Sequence, residues 1–191
     1  MSEHKARIPP LPRSEWTAAA VEAMAILPPQ MQPQPGQTIN SLSVLARHPS
    51  LAAAYLRFSL YLRFEATLSD RVRELLILRT AWLRGGQYEL ARHGRIATRI
   101  GFTDDELRRI PHGSAADGWQ PDDEVLLRTV EELCADYQVG EDTWHELNIR
   151  FSEQEVMDIV FTVGAYDMLA MVFNTFGLEP EADLGPFPPA P

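Results

Sequence analysis

The chain has 191 residues, 45% of them hydrophobic and 23% charged, the balance of a globular domain with a sizeable core. Its 27 acids against 17 lysines and arginines leave a formal net charge of −10, a surface that repels phosphate backbones and so argues against a nucleic-acid partner. No run of eighteen apolar residues and no signal-peptide core in MSEHKARIPP are read as a cytoplasmic protein with no membrane partner, and the one cysteine, Cys134, has no intramolecular disulfide partner.

Residues 1–39 form a proline-rich arm, IPPLPR and PPQMQPQPGQ, around one short alanine-rich helix, SEWTAAAVEAMAIL, whose expected N-cap is Ser14. From residue 40 to 178 the pattern is helix after helix, with no strand-like alternation. Asn40 is placed as the cap of SLSVLAR, and Pro49 with Ser50 opens LAAAYLRFSLYLRF. Ser69 caps DRVRELLILRTAWL, which stops at Gly85-Gly86, and GQYELARHGRIATRI ends at Gly101. Thr103 with Glu106 makes a capping box, flanked by Phe102 and Leu107 as a hydrophobic staple. A loop with Pro111, Gly113 and Gly118 leads to helices over about 121–137 and 142–150. Ser152 with Glu155 opens a last helix of roughly 36 Å that ends at Gly177. Residues 179–191 form an extended tail. The last helix and ELLILRTAWL are apolar on nearly all sides, which predicts burial all round and a homo-oligomer sharing helix faces.

Few polar side chains interrupt these apolar surfaces. Glu74 has Ile77, Leu78 and Ala81 at +3, +4 and +7, so its carboxylate is either buried or a first-turn acid favoured by the helix dipole. Glu89 and His93 are four apart and share a face with Gly86, whose missing side chain would leave a notch beside them. By pattern alone such a pair is more often a solvated surface pair than a catalytic one. Tyr88 adjoins it, and an arginine such as Arg92 facing the notch could clamp a substrate carboxylate. Asp167 and Asn174, seven apart on one face, interrupt the last helix with Tyr166 alongside; they are read as a buried polar pair satisfied by neighbouring helices, or Tyr166 and Asn174 are pocket-wall residues. His4, His48, His112 and His145 show no ligand spacing, and HExxH, GxGxxG and Walker A patterns are absent. Neither a metal site nor a cofactor is expected.

Taken together, LSDRVRELLILRTAWLRGGQYELARHGRIATRIGFTDDELRRI (68–110) resembles the carboxymuconolactone decarboxylase family, which includes the alkyl hydroperoxide reductase D branch. The segments NSLSVLARHPSLAAAYLRF and GAYDMLAMVFNTFG are similar to a long subgroup of it. The resemblance implies an all-α, oligomeric helical bundle around a central helical hairpin, as dimer, trimer or hexamer. In the peroxidase branch a Glu, a CxxC pair and a His form a thiol site with a proton relay. Glu74 and His93 fall on the Glu and His positions, whereas Gly86 and Glu89 stand at the two cysteine positions. Thiol peroxidase chemistry is therefore not expected here. What the resemblance leaves is an acid–base cluster of Glu74, Glu89 and His93 as catalytic candidates, with Tyr88, Arg92, Tyr166 and Asn174 as substrate-binding candidates. It suits a cofactor-independent lyase or isomerase acting on a small carboxylated or lactone substrate. On that reading His93 is the general acid/base and either Glu89 or Glu74 orients it. The alternatives are a non-catalytic oligomeric ligand-binding protein that kept the fold and, with one cysteine against it, an alkylhydroperoxidase-like antioxidant protein.

Overall fold

The computed structural model describes residues 6–34 and 37–188; His4 lies outside them. Every regular element among the described residues is helical. By compactness the chain divides into one unit of Met1–Ala66 with Thr175–Glu181 and a second of Thr67–Asn174 with Ala182–Pro191.

The first unit holds helices α1 (Ala18–Met24), α2 (Asn40–Leu45) and α3 (Pro49–Phe64). Its core is built from Ala20, Met24, Leu27, Ile39, Leu42 and Leu56. Two caps differ from the sequence expectation. Ser14 lies in a 3₁₀ turn, and Thr17 caps α1 instead, its hydroxyl accepting from the Ala20 amide at 3.2 Å. Asn40 is not a cap but the first helical residue. The Glu181 carboxylate takes the Asn40 amide at 2.6 Å, and the Asn40 side chain donates to the Glu179 carbonyl at 2.9 Å. A carboxylate brought from the far end of the chain thus replaces a local cap. Pro49 opens α3 as expected, with the His48 ring nitrogen accepting from the Leu51 amide at 3.3 Å.

The second unit holds the hairpin of α4 (Asp70–Leu83) and α5 (Gln87–Arg99), then α6 (Asp104–Arg109), a 3₁₀ segment Ile110–Ala115, α7 (Pro121–Asp136), α8 (Glu141–Arg150) and α9 (Glu153–Phe176). Ser69 caps α4 and the Thr103–Glu106 box caps α6, as read from sequence. Phe102 and Leu107 of the expected staple are both buried. Gly85 turns the hairpin at φ +62°, a left-handed conformation that favours glycine.

Helix α4 is buried without interruption from Arg73 to Ala81. Leu75, Leu76, Ile77 and Leu78 are fully buried, each contributing about 1.5–3 kcal/mol by leaving water. Two of its buried polar residues, Arg79 and Thr80, are bonded within the unit. Arg79 donates to the Ile110 and Pro111 carbonyls at 2.8 and 3.0 Å and pairs with Glu131 at 2.9 Å, and the Thr80 hydroxyl donates to the Leu76 carbonyl at 2.8 Å. Within the chain, helix α9 is buried on one face. There it buries Val156, Ile159, Val163, Ala170 and Phe173, while Met157, Val160, Phe161, Met168 and Met171 remain exposed on the other.

Candidate functional site

Three neighbouring helices of the second unit supply the site. Glu74 sits one turn into α4 and is wholly buried; Glu89, in the first turn of α5, is 2% exposed; His93, the next turn along, is 9% exposed. The solvated-pair reading of Glu89 and His93 is thereby removed. His93 Nδ1 lies 2.7 Å from Glu74 Oε2. A carboxylate oxygen can only accept, so with Glu74 ionised the contact takes the ring hydrogen on Nδ1 and leaves Nε2 for chemistry. Of the two acids that could orient the imidazole, Glu74 is the one in hydrogen-bond reach.

Sequence reading overlooked Arg73. Its Nε lies 3.7 Å from Glu74 Oε1, and its Nη2 pairs with Asp70 at 2.8 Å. This guanidinium is nearly as buried as the carboxylate it flanks, and its long side chain reaches back along the helix. The signal available was an adjacent Arg-Glu pair inside an otherwise apolar helix.

Glu89 is the unusual group. Both its carboxylate oxygens are buried and neither has a hydrogen-bond partner. Burial pushes its carboxyl above the ordinary range; its own amide and the His93 imidazole pull the opposite way without prevailing. The notch expected at Gly86 is filled by this same side chain: a Cβ there would stand 2.7 Å from Glu89 Oε2 and 3.4 Å from the Ala170 Cβ. Gly86 therefore makes room for the acid rather than for a ligand.

Helix α9 covers the hairpin from the other side. The Tyr166 ring meets the His93 ring edge-to-face, centroids 5.0 Å apart, and Phe173 meets the buried Tyr88 at 5.3 Å. One turn before Tyr166, the Thr162 hydroxyl is buried with no hydrogen-bond partner. Asn174 is placed elsewhere. Its side chain donates to the Arg84 carbonyl at 2.9 Å, closing the end of α4. Arg84 in turn binds the Asp167 carboxylate and the Cys134 carbonyl. Arg92 is half-buried on α5 and contributes positive field at Asp183. The tail reaches this helix as well: Arg95 pairs with Asp183 at 2.8 Å, and Phe187 fills the space above Gly94, beside His93 in sequence. Burial pushes the Cys134 thiol up. Among the described residues, no group of three or more His, Cys, Asp or Glu could hold a metal ion.

Residues 49–132 match the sequence model of the carboxymuconolactone decarboxylase family. The fold is that of an alkylhydroperoxidase AhpD core, an uncharacterized peroxidase-related protein from Ralstonia eutropha JMP134. That protein is 18% identical, superposes with a TM-score of 0.77, and the match covers 97% of each chain. An uncharacterized peroxidase-related protein from Silicibacter sp. TM1040 superposes at 0.75 with 17% identity, over 89% of this chain and 88% of that one. The debrominase Bmp8, in complex with 2,3,4-tribromopyrrole, does so at 0.76 with 14% identity over 93% of each. No curated protein matches the sequence. At these identities the structural likenesses establish the fold alone.

Proposed function

From the match of residues 49–132 to the carboxymuconolactone decarboxylase family model, we propose that this protein is an acid–base enzyme of lyase or isomerase type, acting in the cytoplasm on a small carboxylated or lactone substrate without a cofactor. The observation that carries the proposal is the buried His93–Glu74 contact at 2.7 Å with the unpaired Glu89 carboxyl beside it. An imidazole with one nitrogen fixed by a carboxylate offers its other nitrogen as a proton donor or acceptor. A second carboxyl whose ionised form burial disfavours can, in its protonated form, donate a hydrogen bond to an oxygen as negative charge gathers there.

For a carboxylated lactone the step runs as follows. The bond from ring carbon to carboxylate breaks and carbon dioxide leaves. The electron pair passes into the conjugated carbonyl as a dienolate, whose oxygen the Glu89 carboxyl holds. His93 delivers a hydrogen from Nε2 to the substrate carbon and regains one from water. Arg92 pairs with a substrate carboxylate, and Tyr88 and Tyr166 flank the ring. Glu74 fixes the imidazole, and Arg73 positions Glu74. Thiol peroxidase chemistry has no support: glycine and glutamate stand at the cysteine positions, and the Cys134 thiol is buried beside Arg84 and Asp167.

Turnover of a panel of small carboxylated lactones, followed by carbon dioxide release, tests the assignment. His93→Asn is expected to lower kcat by about 10²–10⁴-fold; unchanged turnover on the best substrate ends the assignment. One feature counts against turnover, namely that Glu89 folds over Gly86 and fills the space a substrate would want; the alternative is a non-catalytic protein that kept the fold. Tight binding of a panel member with no turnover would establish that reading.

A further inference from the structure

One hydroxyl on the buried face of α9 makes no bond within the fold. Thr162 is wholly buried, and its side-chain oxygen has no hydrogen-bond partner. Other helical threonines of this chain turn their hydroxyls back onto their own helix. Thr80 donates to the Leu76 carbonyl at 2.8 Å, Thr98 to the Gly94 carbonyl at 3.1 Å and Thr129 to the Val125 carbonyl at 2.8 Å. Thr162 makes no such bond to Asp158. A buried hydroxyl left unpaired is costly, and a valine of the same shape would avoid the cost.

The position of Thr162 along α9 places it beside the His93 site. Helices α4 and α9 run alongside in the same direction. Asp158 accepts from the Thr67 amide, just before α4, at 2.7 Å, and Asn174 donates to the Arg84 carbonyl, just after it, at 2.9 Å. Between those ends the Tyr166 ring meets the His93 ring that Glu74 holds. Thr162 lies one turn before Tyr166, about 6 Å along the axis and about 40° around it, at a level between Thr67 and Glu74. Glu89 reaches α9 one turn after Tyr166, at Ala170. Among the described residues of the second unit, the buried side-chain oxygens without a hydrogen-bond partner belong to Thr162, to Glu74 through Oε1 and to Glu89 through both. Orphaned oxygens therefore bracket one imidazole.

We propose that Thr162 is a ligand-binding residue of the His93 site, and that it holds a hydroxyl group of the substrate at the end opposite the oxygen that Glu89 holds. The two unpaired atoms on this side of the imidazole have complementary needs. Glu74 Oε1, with the carboxylate ionised, can only accept, whereas the Thr162 hydroxyl can donate. One hydroxyl satisfies both, donating to Glu74 and accepting from Thr162. A carboxylate cannot donate there and would face the Glu74 charge. An ammonium cannot accept and would face the Arg73 guanidinium, whose Nε is 3.7 Å from the same Oε1. Glu89 is bonded to nothing, so its carboxyl can leave Gly86 for a ligand without breaking a hydrogen bond. The substrate class narrows to a hydroxylated lactone, with any carboxylate kept toward Arg92. This assignment of Thr162 rests on the lactone reading of the site, through its ligand and not through turnover.

Titration of the full chain with three neutral lactones, followed by the NMR signals of the His93 ring, tests the assignment. The probes are β-hydroxy-γ-butyrolactone, its methyl ether and the parent γ-butyrolactone. Wild type is expected to bind the alcohol roughly tenfold more tightly than either of the others. Thr162→Ser, which keeps the hydroxyl, is expected to retain that preference and Thr162→Val to lose it. Without ligand, Thr162→Val is expected to unfold at a higher urea midpoint than wild type, because it sheds an unpaired oxygen. No binding of the alcohol, equal affinities for alcohol and parent in wild type, a preference that survives in Thr162→Val, or a lowered urea midpoint for that variant would each overturn the assignment. Binding of the alcohol with no carbon dioxide release from any carboxylated lactone ends the enzyme reading and leaves Thr162 in its role; carbon dioxide release without a preference for the alcohol does the reverse.

Discussion

Glu89 concentrates the cost and the chemistry of the site in one side chain. A carboxyl with both oxygens buried and unpaired has lost its water without compensation. Its folded-state pKa lies above the ordinary range, so between that range and the folded value the native state binds a proton that the unfolded state has released. Stability therefore falls as pH rises through this window. Glu89→Met, apolar and of similar length, removes the orphaned oxygens. It is expected to raise stability by about 1–3 kcal/mol near neutral pH and to flatten the pH dependence, while abolishing turnover. Urea titrations of both proteins from pH 5 to 8 check this; a variant less stable than wild type throughout would show that the carboxyl is satisfied in solution. The shared face of Glu89 and His93 was legible because helical spacing fixes azimuth. That Glu89 turns back over Gly86 was not, because spacing leaves the side-chain torsions open. The pairing of Glu74 with His93 joins two helices and came only through resemblance. Arg73 escaped because a buried arginine shows itself only through its partners.

Helix starts were read most reliably where both halves of a cap lie within four residues. Ser69, the Thr103–Glu106 box and the Ser152–Glu155 box are all formed. Asn40 was misplaced because its amide is capped from residue 181, a partner no local window contains. Capping also sets a pH dependence opposite in sign to that of Glu89. Burial alone would raise the Glu106 carboxyl, but the Thr103 amide and hydroxyl and Arg71 together hold it below the ordinary range. Its stabilisation is then complete above the ordinary carboxyl value of about 4.3 and is lost as pH falls through the lower folded value. Glu106→Gln is expected to cost about 0.5–2 kcal/mol at pH 7, with the gap closing as the medium is acidified below that range. Urea midpoints that differ equally at pH 7 and at a pH well below the ordinary carboxyl range would leave the carboxylate without this role.

At the scale of the molecule, the tail shows what sequence order hides. Its prolines announced an extended segment, yet where it lies depends on an atom missing from another helix. Phe187 is half-buried against the main core and rests where a Gly94 side chain would be, a Cβ there standing 2.6 Å from its ring. The Arg95–Asp183 pair joins the same stretches, 88 residues apart; being exposed it contributes little, so the packing carries the attachment. This inverts the usual effect of a helix substitution. Alanine in place of an interior helical glycine ordinarily stabilises by roughly 0.5–1 kcal/mol. Here Gly94→Ala has to displace the ring and is expected to destabilise, with proteolysis of the tail accelerated. In the Phe187→Ala background the obstacle is gone, and the same Gly94→Ala change is expected to recover its ordinary stabilising sign. A double-mutant cycle by urea unfolding reads this coupling directly. If Gly94→Ala has the same effect with and without the Phe187 ring, the tail is not held at Gly94.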